Sequence, residues 1–260
     1  MFNLLKRAAS LLLIIIAICY AAAAADWNRG VSYYKKGDFR AALGEFREIA
    51  VRQPDSAGAW YYVGLCEFRL KEYKQVELPL SRAIELLEVQ TPGSADLAGA
   101  WYTIGFSHYL LAEYDKAVEP LKKYGELTAK SGKPVDQNAR RALGRSYYFL
   151  GRNDEAVAIL AETSTASTGF DTAAGDKDAG KDTGLDTDKD KAQAAANLKE
   201  SAADSYYLGA IYFKQGDNDK AITALQAAVK DRADDIAPVE LLTEALMKRA
   251  VSTLARSISN

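Results

Sequence analysis

The sequence predicts an all-α protein built as an array of stacked helix–turn–helix units, and three observations predict it. Two stretches 41 residues apart nearly coincide: "AGAWYYVGLCEFRL" from Ala57 to Leu70 and "AGAWYTIGFSHYLL" from Ala98 to Leu111. Gly30, Gly64, Gly105, Gly144 and Gly209 each sit inside an amphipathic run. Twelve residues after each comes a small residue (Ala42, Val76, Ala117, Ala156, Ala221), and four residues later a large apolar one (Phe46, Leu80, Leu121, Leu160, Leu225). Between the two lies a turn signal, "KKGDFRAA", "LKEYKQV", "LAEYDKA", "LGRNDEA" or "KQGDNDKA". Self-similarity of this kind is the mark of a repeat array.

Each element follows from local chemistry. A Gly or polar residue ends the first helix of a unit and an Asp caps near the second. A small residue on each helix lets the two axes approach, and the large residues between them interdigitate. One such pair cannot bury both of its faces, so neighbours must stack. Pro79 and Pro120 are expected about one turn into the second helices of units two and three, where a missing N–H costs least. After unit four, "TSTASTGFDTAAGDKDAGKDTGLDTDKDKAQ" has almost no large apolar residues and is expected to be a flexible insertion. Unit five leads into a final helix with Leu241, Leu242, Leu246, Ala250 and Leu254 along one side, expected to shield the end of the array.

The step from Gly30 to Gly64 is 34 residues, and the pattern of Trp, Leu-Gly, Tyr, Ala, Phe and Pro resembles the tetratricopeptide repeat. Unit one supplies Gly30, Tyr33, Phe39, Ala42, Phe46 and Pro54; units two and three keep Trp60 and Trp101; units four and five keep Leu143-Gly144 and Leu208-Gly209. Departures include Arg29 before the first Gly, and Glu67 and His108 where the family has Tyr. The resemblance implies a right-handed α-solenoid of about five repeats with a C-terminal capping helix. The division expected is a leader over 1–25, repeats one to four over 26–163, the insertion over 164–198, repeat five over 199–235 and the capping helix over 236–258.

In that family the first helices line a concave surface, which implies where to look for recognition. One face of each first helix, taken at steps of three to four residues, gives Trp27, Val31 and Tyr34; Tyr61, Leu65, Phe68 and Arg69; Tyr102, Phe106 and Tyr109; Arg141, Arg145 and Tyr148; and Tyr206. The stripe is aromatic in its middle and basic toward one end, as protein-recognition surfaces are. Family members that grip acidic tails use Lys, Asn and Arg at set groove positions. Trp, Tyr, Leu and Phe at those places favour an apolar peptide or an amphipathic helix.

Lys6 and Arg7 precede an uncharged run from Ala8 to Ala25 that ends in "AAAAAD". A basic start, an apolar centre and small residues at the end are those of a secretory signal, with cleavage expected after Ala25. The expectation is therefore an exported protein of the periplasm or envelope. Alternatives are an inner-membrane anchor over 8–25 and a lipid-modified Cys19. The membrane would then be met only through this segment, and the expected partners are envelope proteins or peptide segments.

With 33 basic and 35 acidic residues the chain has no basic footprint for nucleic acid. One His and two Cys supply neither a catalytic pair nor a zinc site, and no Gly-rich phosphate loop is present. No enzyme activity, cofactor or metal is expected. Asp186, Asp188 and Asp190 alternate as in a calcium loop, but Lys191 and Asn197 stand where such a loop needs Gly and Glu. A calcium-responsive segment is the alternative reading.

Overall fold

The computed structural model describes residues 26–165, 187–231 and 235–259, and for 165, 187–199, 231 and 259 the backbone alone. Eleven α-helices and no strand occur among the described residues: α1 Trp27–Lys35, α2 Phe39–Arg52, α3 Ala57–Arg69, α4 Glu77–Gln90, α5 Ala95–Leu110, α6 Tyr114–Lys130, α7 Gln137–Phe149, α8 Asn153–Thr165, α9 Thr187–Gln215, α10 Asn218–Asp231 and α11 Ile236–Ser259. The expected all-α class is the one found. The leader expected over 1–25 and most of the insertion lie outside the described residues, and α9 begins at Thr187, inside the span assigned to that insertion.

Helix starts follow the side chains able to satisfy free backbone N–H groups. Asp26 accepts from the Arg29 N–H at 2.9 Å, Asp38 from Ala41 at 3.1 Å and Ser56 from Ala59 at 3.4 Å. Asp136 accepts from Asn138 at 2.8 Å and Ala139 at 3.2 Å.

The turn inside every hairpin has one design. A left-handed residue follows the first helix, and the next N–H reaches back five residues: Asp38 to the Tyr33 carbonyl at 3.0 Å, Glu72 to Glu67 at 2.9 Å, Glu113 to His108 at 2.9 Å, Arg152 to Tyr147 at 2.9 Å and Asp217 to Tyr212 at 3.0 Å. Gly37, Gly151 and Gly216 take the left-handed position in three hairpins, but Lys71 (φ 63°) and Ala112 (φ 58°) take it in the other two. An L side chain pays for that conformation, so Ala112→Gly is expected to raise stability by about 0.5–1 kcal/mol in urea unfolding, after the entropy glycine loses on folding.

The chain forms two compact units, one ending at Ser107 and one beginning at His108. In both, the markers read from the sequence are the packing contacts. Ala42, Val76, Ala117, Ala156 and Ala221 are wholly buried, and so are Phe46, Leu80, Leu160 and Leu225, with Leu121 at 2% exposure. The glycines mark the closest approach within a pair: a Cβ on Gly64 would lie 2.4 Å from Leu80, on Gly144 2.8 Å from Leu160 and on Gly209 2.5 Å from Leu225. The core of the first unit gathers Ala42, Leu43, Phe46, Ile49, Val63 and Cys66; that of the second gathers Tyr147, Leu160, Leu208 and Ile211.

Two details depart from the expectation. Pro79 is the third residue of α4, as foreseen, because residues Tyr73–Gln75 form a separate 3-10 turn and the α-helix starts late. Pro120 lies within α6, which runs without a break from Tyr114. The final helix shields repeat five only with its first half. Pro238 and Ala245 are buried and Leu241 and Leu242 pack beside Tyr206 and Phe213, whereas Leu246 and Leu254 face solvent.

Candidate protein-binding surface

In the first unit the rings expected to line a groove divide into two kinds. Trp27 and Tyr61 pack on glycines of the next first helix. A Cβ on Gly58 would lie 2.8 Å from the Trp27 ring, and one on Gly99 would lie 2.4 Å from the Tyr61 hydroxyl oxygen. The two contacts occupy the same place one repeat apart, and burial pushes the Tyr61 hydroxyl well above its ordinary pKa. These two residues join repeats. Val31 and Tyr34 lie against the core of the same unit.

Leu65, Phe68, Tyr102 and Phe106 form the other kind. Each is half-buried. Tyr102 stacks on Phe106 at 5.4 Å, Phe68 meets Phe106 at 6.3 Å, and Phe68 meets Tyr73 at 5.6 Å. Exposed Arg69 on the same helix holds its guanidinium 5.0 Å from the Phe39 ring centre. The result is a patch of mutually supported rings, ordered before any ligand arrives.

The sequence did not single out Tyr62, which organises the rings of this unit. It stacks on Phe46 at 4.6 Å and meets Trp27 at 5.5 Å, Tyr34 at 5.3 Å and Tyr61 at 5.9 Å. Its place beside Tyr61 put it off the face chosen by helical stepping.

In the second unit the expected basic end of the groove is a buried ion cluster. Arg141 and Arg145 are both buried, and Asp204, with no exposed surface, lies between them. Arg141 Nε donates to Asp204 Oδ2 at 2.8 Å. Arg145 donates to Asp204 Oδ1 from Nε at 2.9 Å and from Nη2 at 2.7 Å, and meets Glu200 Oε2 at 2.8 Å. Burial opposes the Arg145 charge, but Asp204, the Tyr109 hydroxyl and Glu200 outweigh it and hold the guanidinium above its ordinary pKa. Asp204 had a signal in the sequence: it precedes Leu208 and Ile211 by four and seven residues and therefore shares their inward face.

The remaining expected residues of this unit are aromatic. Tyr109 meets Tyr114 at 6.1 Å; Tyr148 meets Tyr207 at 4.8 Å and Phe149 at 5.3 Å, and Lys214 lies over its ring at 5.4 Å. Tyr206 packs beside Tyr207 and against the cluster of Ala221, Ile222, Leu225 and Ala245. A cleft of about 290 Å³, unforeseen from the sequence, lies between α6, α7 and α8, walled by Leu121, Val135, Leu143 and Ile159, with the Arg140–Glu162 ion pair at its rim.

Glu67 and His108, the two departures at the family's Tyr position, each acquire a partner. Arg47 Nη2 donates to Glu67 Oε1 at 2.8 Å, and His108 Nδ1 lies 2.8 Å from Glu113 Oε2. Glu67 Oε2 is buried with no hydrogen-bond partner among the described residues. Burial raises the Glu67 pKa against the pull of Arg47. A carboxyl raised in the folded state favours folding while protonated and loses that contribution as pH rises through its folded value. Glu67→Gln is accordingly expected to stabilise the protein at neutral pH, with the gain vanishing in acid, in melting curves taken across pH.

Cys66 is buried, and desolvation with Glu67 next to it pushes its thiol up to about 12. Native protein at pH 8 is expected to leave Cys66 unlabelled by iodoacetamide, and denatured protein to label it, as read by peptide mass spectrometry. No group of His, Cys, Asp and Glu among the described residues is placed to hold a metal, and the side chains of Asp186, Asp188 and Asp190 lie outside them.

Matches to known families fall on these hairpins. The tetratricopeptide repeat matches residues 27–95, 137–162 and 205–234. Each of those segments is similar to that repeat. Solved structures agree in fold. YrrB, described as a TPR protein with an unusual peptide-binding site, is 16% identical, covers 86% of this chain and 95% of its own, and superposes with a TM-score of 0.60. MamA is 17% identical over 79% of this chain and 89% of its own, with a TM-score of 0.55. A putative kinesin light chain with TPR-like repeats from Podosopora anserina is 13% identical over 79% and 92%, at 0.50. A comparison with curated proteins finds no match. In these hairpins Phe46, Leu80, Leu160 and Leu225 serve packing, whereas Phe68, Tyr102 and Phe106 are half-buried.

Proposed function

We propose that the chain is an exported, non-enzymatic TPR scaffold that binds a peptide or helical segment of an envelope protein on the first helices of its first unit. The observation that carries the reading is the half-buried ring patch of Phe68, Tyr102 and Phe106, with exposed Arg69 next to Phe68 in the chain. Such rings supply contact area at low entropic cost, and an apolar segment with a carboxylate close by would satisfy both parts. Arg141 and Arg145, committed to Asp204, are removed from the recognition surface. The peptide-binding site in the description of YrrB is in keeping with this use of the fold. Export rests on Lys6, Arg7 and the uncharged run to Ala25.

The test is a paired substitution, Tyr102→Ala with Phe106→Ala, in affinity capture from envelope extracts. Loss of a captured protein with unchanged helical circular dichroism is the expected result; capture equal to wild type would refute the site. N-terminal sequencing of the protein recovered from the periplasm should begin at Asp26.

A further inference from the structure

The distal half of α11 is the one place where a helix of the second unit shows solvent a continuous apolar stripe among the described residues. Met247, Val251, Leu254 and Ile258 are 62%, 68%, 61% and 76% exposed. Their spacing of four, three and four residues puts them on one line. The face that packs on repeat five carries Pro238 and Ala245. At 100° per residue the stripe lies about half a turn from that face. It therefore points away from the body of the unit, open along its length.

The charge of this stretch is one-sided. Residues 247–259 contain Lys248, Arg249 and Arg256 and no Asp or Glu, in a chain of net charge −2. Lys248 lies 3.5 Å from Glu244 and 3.9 Å from the Phe213 ring centre, and Arg249 lies 3.6 Å from Asp219. These contacts leave both cations about half exposed, and exposed pairs of this kind are held weakly.

We propose that the distal half of α11 docks in the interface of an anionic lipid bilayer, with Met247, Val251, Leu254 and Ile258 among the acyl chains and the three basic residues drawing the helix to the headgroups. An exposed apolar line on a stretch whose own charged residues are all basic is the pattern of a helix that lies in a membrane surface. At 100° per residue Lys248 falls beside the stripe and Arg249 and Arg256 opposite it. They are at most one helix diameter of about 10–12 Å away, which is comparable with the screening length of about 8–10 Å. A second copy fits less well. It would set three positive charges against three, and four side chains bury far less than the roughly 800 Å² per partner of a stable interface. No helix among the described residues is long and apolar enough to cross a membrane, so the contact is interfacial. It is independent of the ring patch on α3 and α5.

The experiment is co-sedimentation of the full chain with vesicles of phosphatidylcholine alone and vesicles rich in phosphatidylglycerol. Wild-type protein should partition into the anionic vesicles and be released by salt. Val251→Asp with Leu254→Asp should weaken partition at least about tenfold, and Arg256→Gln about fivefold. Both sites are exposed, so helical circular dichroism should not change, and every variant carries the same N-terminal segment. Equal partition of the Asp variant, or equal partition into both vesicle types, would overturn the proposal. So would a doubled mass in light scattering without lipid that the Asp variant halves, since that result assigns the stripe to a second copy.

Discussion

Asp204→Ala is expected to cost about 3–5 kcal/mol, the range for removing one partner of a buried ion pair. The cost arises from what is left behind. Arg141 would keep a guanidinium in a site that excludes water and lose the carboxylate it meets at 2.8 Å. Arg145 would retain Glu200 at 2.8 Å and the Glu200 carbonyl at 3.0 Å, so its loss is smaller. Urea unfolding followed by circular dichroism at the helical minimum measures the total. A second chain with Asp204→Leu, Arg141→Met and Arg145→Met separates pairing from packing: with no buried charge remaining, it should recover most of the lost stability. If the single variant cost under about 1 kcal/mol, as exposed pairs do, the cluster would be reached by water.

Gly64→Ala should destabilise by about 1–3 kcal/mol, against the direction set by helix propensity. In an exposed helix the change would favour folding by about 1 kcal/mol, because alanine loses less backbone entropy. At Gly64 the new methyl would lie 2.4 Å from both Cγ and Cδ2 of Leu80, a side chain with no free surface into which to move. Gly44 and Gly125, in α2 and α6, have nothing within 4 Å of an added Cβ. Gly44→Ala and Gly125→Ala should therefore stabilise. Opposite signs for the same substitution at helical glycines would show that the repeat spacing records inter-helix distance. Equal signs would show that it does not.

The packing contacts were legible in the sequence because they are local. Gly64, Val76 and Leu80 fall within one hairpin, and a fixed twelve-plus-four spacing carries the whole contact. The recognition surface was legible only in part. Helical stepping finds a face but not its neighbour, so it grouped Tyr61, seated over Gly99, with Tyr102, which stacks within its own helix. The role of Gly58 and Gly99 was hidden for the same reason: each shows its use only beside a ring from the preceding repeat. The arginines failed differently. Arg141 and Arg145 look like a solvated basic end until Asp204, about sixty residues away in the chain, is placed between them. Glu67 and His108 had no account as single letters; each makes sense through a partner, Arg47 or Glu113, on the helix or turn opposite.

All three tryptophans, Trp27, Trp60 and Trp101, fall in the first of the two units, whereas tyrosines are spread over both. Indole fluorescence is consequently a private signal of one half of the chain, and far-ultraviolet dichroism a common one. If the halves melt apart, the two optical curves will separate, and the dichroism step left after the fluorescence change will belong to the half that holds Asp204.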